Sequence, residues 1–87
     1  MARFIAEHSG AWSEEQLTGM AQQIMPQIPP GFAWKQTYCD MSGNKYYCEW
    51  DAPSKEALEQ AFQANNIPFD MVRPVTRFDP AAMKFEP

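Results

Sequence analysis

Apolar residues recur along this chain in two different periods. From Leu17 to Ile28 they fall at steps of three and four, at Leu17, Met20, Ala21, Ile24 and Ile28, which places them on one stripe of a helix. Ser13 stands where an N-cap belongs, Gln16 completes a capping box three residues on, and Trp12 is set to close over Leu17 as a hydrophobic staple. Pro26 and the Pro29-Pro30-Gly31 cluster end the helix. A second helix opens at Pro53-Ser54, with Ser54 as its cap and Ala57, Leu58, Ala61 and Phe62 as its inner stripe. It stops at Asn65-Asn66, with Pro68 beyond.

The other segments alternate with period two. Ala2 to His8 suits a short strand that turns at Ser9-Gly10, and Phe32 to Asp40 and Lys45 to Asp51 suit the arms of a hairpin. A two-residue turn at Gly43-Asn44 would pair Ser42 with Lys45, Cys39 with Cys48, Thr37 with Trp50 and Met41 with Tyr46. That register puts Trp34, Gln36, Tyr38, Asp40, Tyr47, Glu49 and Asp51 on the opposite side of the hairpin. Phe69 to Phe78 reads as a last strand whose Pro74 belongs on an edge or a bulge. Asp79 to Pro87 reads as irregular.

The order strand, helix, hairpin, helix, strand is the split βαβ pattern of a ferredoxin-like α+β sandwich. It predicts a four-stranded antiparallel sheet with two helices on one face, in a domain over 1–78 followed by a tail over 79–87. The other sheet face is left bare. A chain of 87 residues buries only about 60–65% of its unfolded surface, yet this one carries six Phe, three Trp, three Tyr and six Met. That surplus of large side chains points to a second buried surface, either a subunit interface or a ligand cavity. Sheet-to-sheet pairing as a dimeric α+β barrel would provide both.

The net charge of −4 and pI near 4.8 argue against nucleic acid or an anionic membrane as a partner, since both need clustered Lys and Arg. No run approaches the roughly 20 apolar residues of a membrane span, and Arg3, Glu7 and His8 interrupt the first apolar stretch before it resembles a signal peptide. A cytoplasmic protein with reduced cysteines is expected.

The run from Tyr38 through Cys39, Gly43, Tyr47, Cys48, Glu49 and Trp50 to Ala52-Pro53-Ser54, followed by an amphipathic helix, resembles the hairpin and second-helix entry of a family of small ferredoxin-like proteins of unknown function, some described as nickel-binding. Phe4-Ile5-Ala6-Glu7-His8 is similar to the first strand of that family. The resemblance implies His8 and Cys48 as metal ligands, with nickel or another divalent transition metal as the ion. Two departures accompany it: position six is Ala rather than an acid, and neither helix contains a histidine.

The residues themselves leave alternatives open. His8, Cys48, Cys39 and Glu7 have donor types suited to nickel or zinc, but a lone strand-end imidazole bonded to backbone explains His8 as well, and core packing explains the cysteines. Glu7, Trp34, Gln36, Tyr38, Tyr47 and Glu49 would converge on the bare face as a ligand pocket, or as a dimer interface with tyrosine hydroxyls paired to carboxylates. No Ser-His-Asp order, phosphate loop or His-rich motif is present. The leading expectation is a small homodimeric binding protein holding a small ligand or a metal ion at the open sheet face. Its rivals are a cofactor-independent dimeric α+β barrel enzyme acting on a small aromatic substrate through Glu7 or His8, and a structural or interaction module.

Overall fold

A computed structural model describes residues 2–86. Met1 and Pro87, the outer ends of the expected domain and tail, lie outside the described residues. The chain runs β1 (Ala2–Ser9), α1 (Glu14–Ile24), a 3-10 turn (Met25–Gln27), β2 (Ala33–Asp40), β3 (Lys45–Ala52), α2 (Lys55–Ala64) and β4 (Met71–Val75). These strands make one sheet in the order β2-β3-β1-β4, with each neighbouring pair antiparallel. The architecture is the ferredoxin-like α+β fold that the element order implies.

Local chemistry sets the helix ends. The Ser13 hydroxyl accepts from the Gln16 N–H at 3.1 Å while the Gln16 side chain accepts from the Ser13 N–H at 2.8 Å, so two otherwise orphaned donors are satisfied reciprocally. The Ser54 hydroxyl accepts from the Ala57 N–H at 3.1 Å. Asn66, at φ 56°, takes the left-handed conformation that stops α2, a geometry Asn tolerates better than most residues. Pro74 lies on the outer strand β4, where a residue without a backbone donor breaks the fewest ladder bonds.

The hairpin differs from the two-residue turn. Four residues, Met41 to Asn44, make the connection, and Asp40 pairs with Lys45. The Asp40 carboxylate accepts from the Ser42 hydroxyl at 3.1 Å and from the Gly43 N–H at 3.0 Å, closing the loop from within. A Cβ at Gly43 would collide with that carboxylate, and only Asn44 takes positive φ, at 55°. Cys39 therefore lies opposite Tyr46, and Cys48 opposite Thr37; the cysteines are not directly opposed. A bulge between Trp34 and Gln36 then brings Trp34 opposite Trp50. One extra residue on one strand flips the side chains beyond it to the other face. Trp34 thus leaves the bare face and stacks on Trp50, with ring centroids 5.8 Å apart and planes 8° from parallel.

The tail is also ordered differently from expectation. The last strand of the sheet ends at Val75, and β5 (Arg77–Asp79) and β6 (Lys84–Glu86) form a separate hairpin. The Asp79 carboxylate accepts from the N–H groups of Ala81 and Ala82 at 3.1 and 3.4 Å, Arg77 donates to Glu86 at 2.7 Å, and the Phe78 and Phe85 rings pack 4.9 Å apart. Pro80 directly after an Asp starts such a turn, a signal hidden among small residues.

On the covered side of the sheet, Phe4, Ala6 and His8 of β1, Cys48, Trp50 and Ala52 of β3, and Val72 of β4 are buried. α2 adds Leu58 and Phe62, both buried, whereas α1 has no buried residue. The partly buried residues that pack on this core are Ile28, Phe32, Trp34, Ile67 and Phe69, all outside α1.

Candidate functional site

The two sides of the sheet offer two different sites, and β1 divides its residues between them. Successive strand residues point to opposite faces, so Glu7 lies on the open side while His8 is buried beneath the helices.

On the open side Gln36, Tyr38, Tyr47 and Glu49 come together as the alternation implies. Tyr38 sits opposite Tyr47, and Gln36 opposite Glu49. The Gln36 amide donates to Glu49 at 2.7 Å, and Arg3 Nε lies 3.3 Å from the other Glu49 oxygen. Glu7 meets Lys45 at 3.2 Å, and Lys45 also meets Asp70 at 3.3 Å. The Ser9 hydroxyl donates to Asp70 as well; this bond first, then Lys45, holds the Asp70 carboxyl below the usual range. Glu7 and then Asp70 push the Lys45 ammonium up. Both carboxylates named for this face are thus already neutralised within the chain. Tyr38 and Tyr47 are not covered, at 60% and 37% exposure. The Nε and Nη1 atoms of Arg3 are buried with no hydrogen-bond partner among the described residues, the Nε contact to Glu49 being an ion pair without hydrogen-bond alignment.

On the covered side a cavity of about 70 Å³ separates α1 from the sheet. Trp12, Trp34 and Trp50, all three tryptophans of the chain, line it together with His8, Tyr46 and Cys48. A second space of about 70 Å³ shares Ile24, Trp50, Phe62 and Ile67 with it. The walls are held rigidly. Tyr46 is fully buried, and its hydroxyl accepts from the Trp12 N–H at 3.1 Å and donates to the Trp12 carbonyl at 3.3 Å. The Trp34 indole donates to the Thr37 hydroxyl at 2.8 Å, which in turn donates to Cys48 Sγ at 3.1 Å. Burial pushes the Cys48 thiol up, and the Thr37 bond offsets this only in part. His8 Nδ1 lies 2.8 Å from the Pro68 carbonyl; because a carbonyl only accepts, Nδ1 carries the proton. The ring also stands edge-on to Phe62 at 5.2 Å.

His8 and Cys48 line the same cavity. The larger set with Cys39 and Glu7 does not form, since Glu7 faces the other side and Cys39 is exposed. Among the described residues no group of three or more His, Cys, Asp or Glu side chains gathers to hold a metal. The alternation pattern misses the parts played by Arg3, Lys45, Asp70 and Thr37. Arg3 was legible from its spacing of four to Glu7, which shares its side of β1, whereas Asp70 lies in a bend and carries no periodic signal.

The family model described as nickel responsive protein SCO4226-like matches residues 4–75. The crystal structure of SCO4226 from Streptomyces coelicolor A3(2) superposes with a TM-score of 0.72 at 23% identity, over 85% of this chain and 95% of that one. At that identity the likeness establishes the fold. No curated protein sequence matches the chain.

Proposed function

This chain belongs to the nickel responsive, SCO4226-like family, and on that premise we propose that it is a small binding protein that acts as a pair of copies, with the open sheet faces turned toward each other and a small polar ligand held between them. The observation that carries this reading is the exposed Tyr38–Tyr47 pair beside carboxylates that the chain has already neutralised. Two aromatic rings on a sheet face gain by leaving water, and a face with its charges paired internally does not repel a second copy of itself.

The β5–β6 hairpin supports the same reading. A two-stranded ribbon is marginal by itself in water, and this one exposes Phe78, Met83 and Phe85. Glu86 chiefly, with Asp79 and Glu49 adding, raises the Arg77 guanidinium, so the ribbon starts within reach of the open-face charges. In the pair it would rim the shared space, with Glu7, Gln36, Tyr38, Tyr47 and Glu49 facing the ligand. Trp34 takes no part.

The family description raises nickel. His8 and Cys48 supply two donors of suitable type, but a closed imidazole and thiolate site takes about four ligands. Here one imidazole nitrogen is committed to Pro68, burial pushes the thiol up, and no third donor gathers among the described residues. The described residues of one chain do not fit a nickel site, and the proposal gives nickel no role.

Sedimentation equilibrium at micromolar concentration tests the pairing. The expected mass is twice the 10.0 kDa of one chain, falling to that of one chain when Tyr38→Arg and Tyr47→Arg are combined. A wild-type protein that sediments as a single chain throughout that range contradicts the reading.

A further inference from the structure

We infer that the β5–β6 ribbon is a clasp: its Phe78–Phe85 face packs against a second copy of this chain and helps to hold the pair together. This rests on the pairing of open sheet faces proposed above and adds to it a contact made outside the sheet.

The ribbon is two-sided. Cross-strand partners share a face and successive residues alternate, so the pairing of Arg77 with Glu86, Phe78 with Phe85 and Asp79 with Lys84 gathers four charges on one side and both rings on the other. A ribbon that packs on its own domain buries its apolar side. Here Phe78 is 45% and Phe85 74% exposed, with Met83 of the turn at 77%, while Arg77 on the charged side feels Glu49 of the sheet. The apolar side is thus turned to water. Its shape is nonetheless held from within, since Arg77 donates to Glu86 at 2.7 Å and the Asp79 carboxylate accepts from two N–H groups of the turn. It also lies beyond residues 4–75, the part of the chain that matches the family model.

Charge, position and area select a second copy as the occupant. The ribbon's charges, two of each sign, cancel, so it does not repel a copy whose open-face charges are themselves paired. With no basic cluster in the ribbon and a net charge of −4 on the chain, an anionic membrane is disfavoured. Glu49 belongs to the open face and acts on Arg77, so the ribbon begins at the rim of the surface proposed for pairing. A copy docked on that surface meets the ribbon at high effective concentration. Area completes the case. A stable pair buries about 800 Å² on each side, and Tyr38 and Tyr47 supply at most about 500 Å² even if wholly covered. The two ribbon phenylalanines can add about 300–500 Å², which brings the pair into the stable class.

Sedimentation equilibrium on the full chain reads the clasp. Combining Phe78→Ser with Phe85→Ser should raise the dissociation constant of the pair at least about tenfold. Met25→Ser removes an apolar side chain of similar exposure, 52%, from the turn that follows α1, and should leave that constant within about twofold. A second measurement needs no variant. In a mixture of 13C-labelled and unlabelled wild-type chains, isotope-filtered NOEs should run from the Phe78 and Phe85 rings of one copy to protons of the other. The clasp is overturned, with the face pairing intact, by a pair that Tyr38→Arg with Tyr47→Arg dissociates and the ribbon variant leaves unchanged. Rings whose NOEs stay within their own chain, or that remain open to a water-soluble paramagnetic probe in the pair, overturn it as well. A pair lost with the ribbon variant alone keeps the clasp and removes the face pairing, and a wild-type chain that never pairs overturns both.

Discussion

α1 and α2 are helices of nearly the same length, each opened by a capping serine and each bearing an apolar stripe toward the same sheet, yet only α2 is driven into the core. Leu58 and Phe62 of α2 are buried, and the Phe62 ring meets His8, Trp50 and Phe69 at centroid distances of 5.2, 5.6 and 5.5 Å. α1 faces the cavity instead. The difference lies beneath the helices. Under α1 the sheet presents Trp50 with Trp34 stacked on it, and Trp12 is fixed to Tyr46 at the entrance; three bulky rings act as spacers. A stripe in sequence therefore tells which side of a helix faces inward, not how closely it is packed.

The largest effect that tests this comparison comes from the packed helix. Phe62→Ala should destabilise by about 3–5 kcal/mol, whereas Leu17→Ala on α1 should cost less than about 1.5 kcal/mol, because the cavity already exists there. Urea denaturation of both variants measures the contrast. Equal losses would mean that α1 is as firmly seated as α2.

Much of the fold was legible because its signals are local. The Ser13–Gln16 capping box and the Ser54 cap name their own partners within one turn, and Pro74 admits few positions in a sheet. The open-face residues Gln36, Tyr38, Tyr47 and Glu49 were also placed correctly, despite the wrong turn length. The true register differs from the two-residue turn by two positions in the pairing, and a shift of two keeps every side chain on its face. It changes who meets whom, so the Cys39–Cys48 opposition fails. The Lys35 bulge changes the face itself beyond that point, and nothing in the run Ala33 to Thr37 announces it. The cavity was out of reach for a different reason: it depends on the volumes of rings contributed by four separate segments.

A smaller effect distinguishes the two cysteines. Burial raises the Cys48 thiol in the folded state, so its contribution to stability is complete below the ordinary thiol range, about 8.5, and is lost as pH rises through the folded value. The urea midpoint should fall more steeply above that range in wild type than in Cys48→Ala, while the exposed Cys39 is alkylated first at neutral pH. Identical alkaline slopes would remove the case for a buried, protonated thiol on the cavity wall. The smallest expected effect is on nickel. Calorimetric titration should find no stoichiometric submicromolar site in wild type, and His8→Ala and Cys48→Ser should change the weak background by less than about twofold. Tight binding abolished by His8→Ala would require donors from a second copy and would reopen the metal reading.

Native-state hydrogen exchange tests the contrast between the helices most directly, because it reads both in one sample. The amides of Leu17 to Ile24 in α1 should exchange through openings of lower free energy than those of Leu58 to Ala64 in α2, which should approach the global unfolding free energy. Equal protection of the two helices, both at the global value, would contradict the account of α1 as a cover over a cavity.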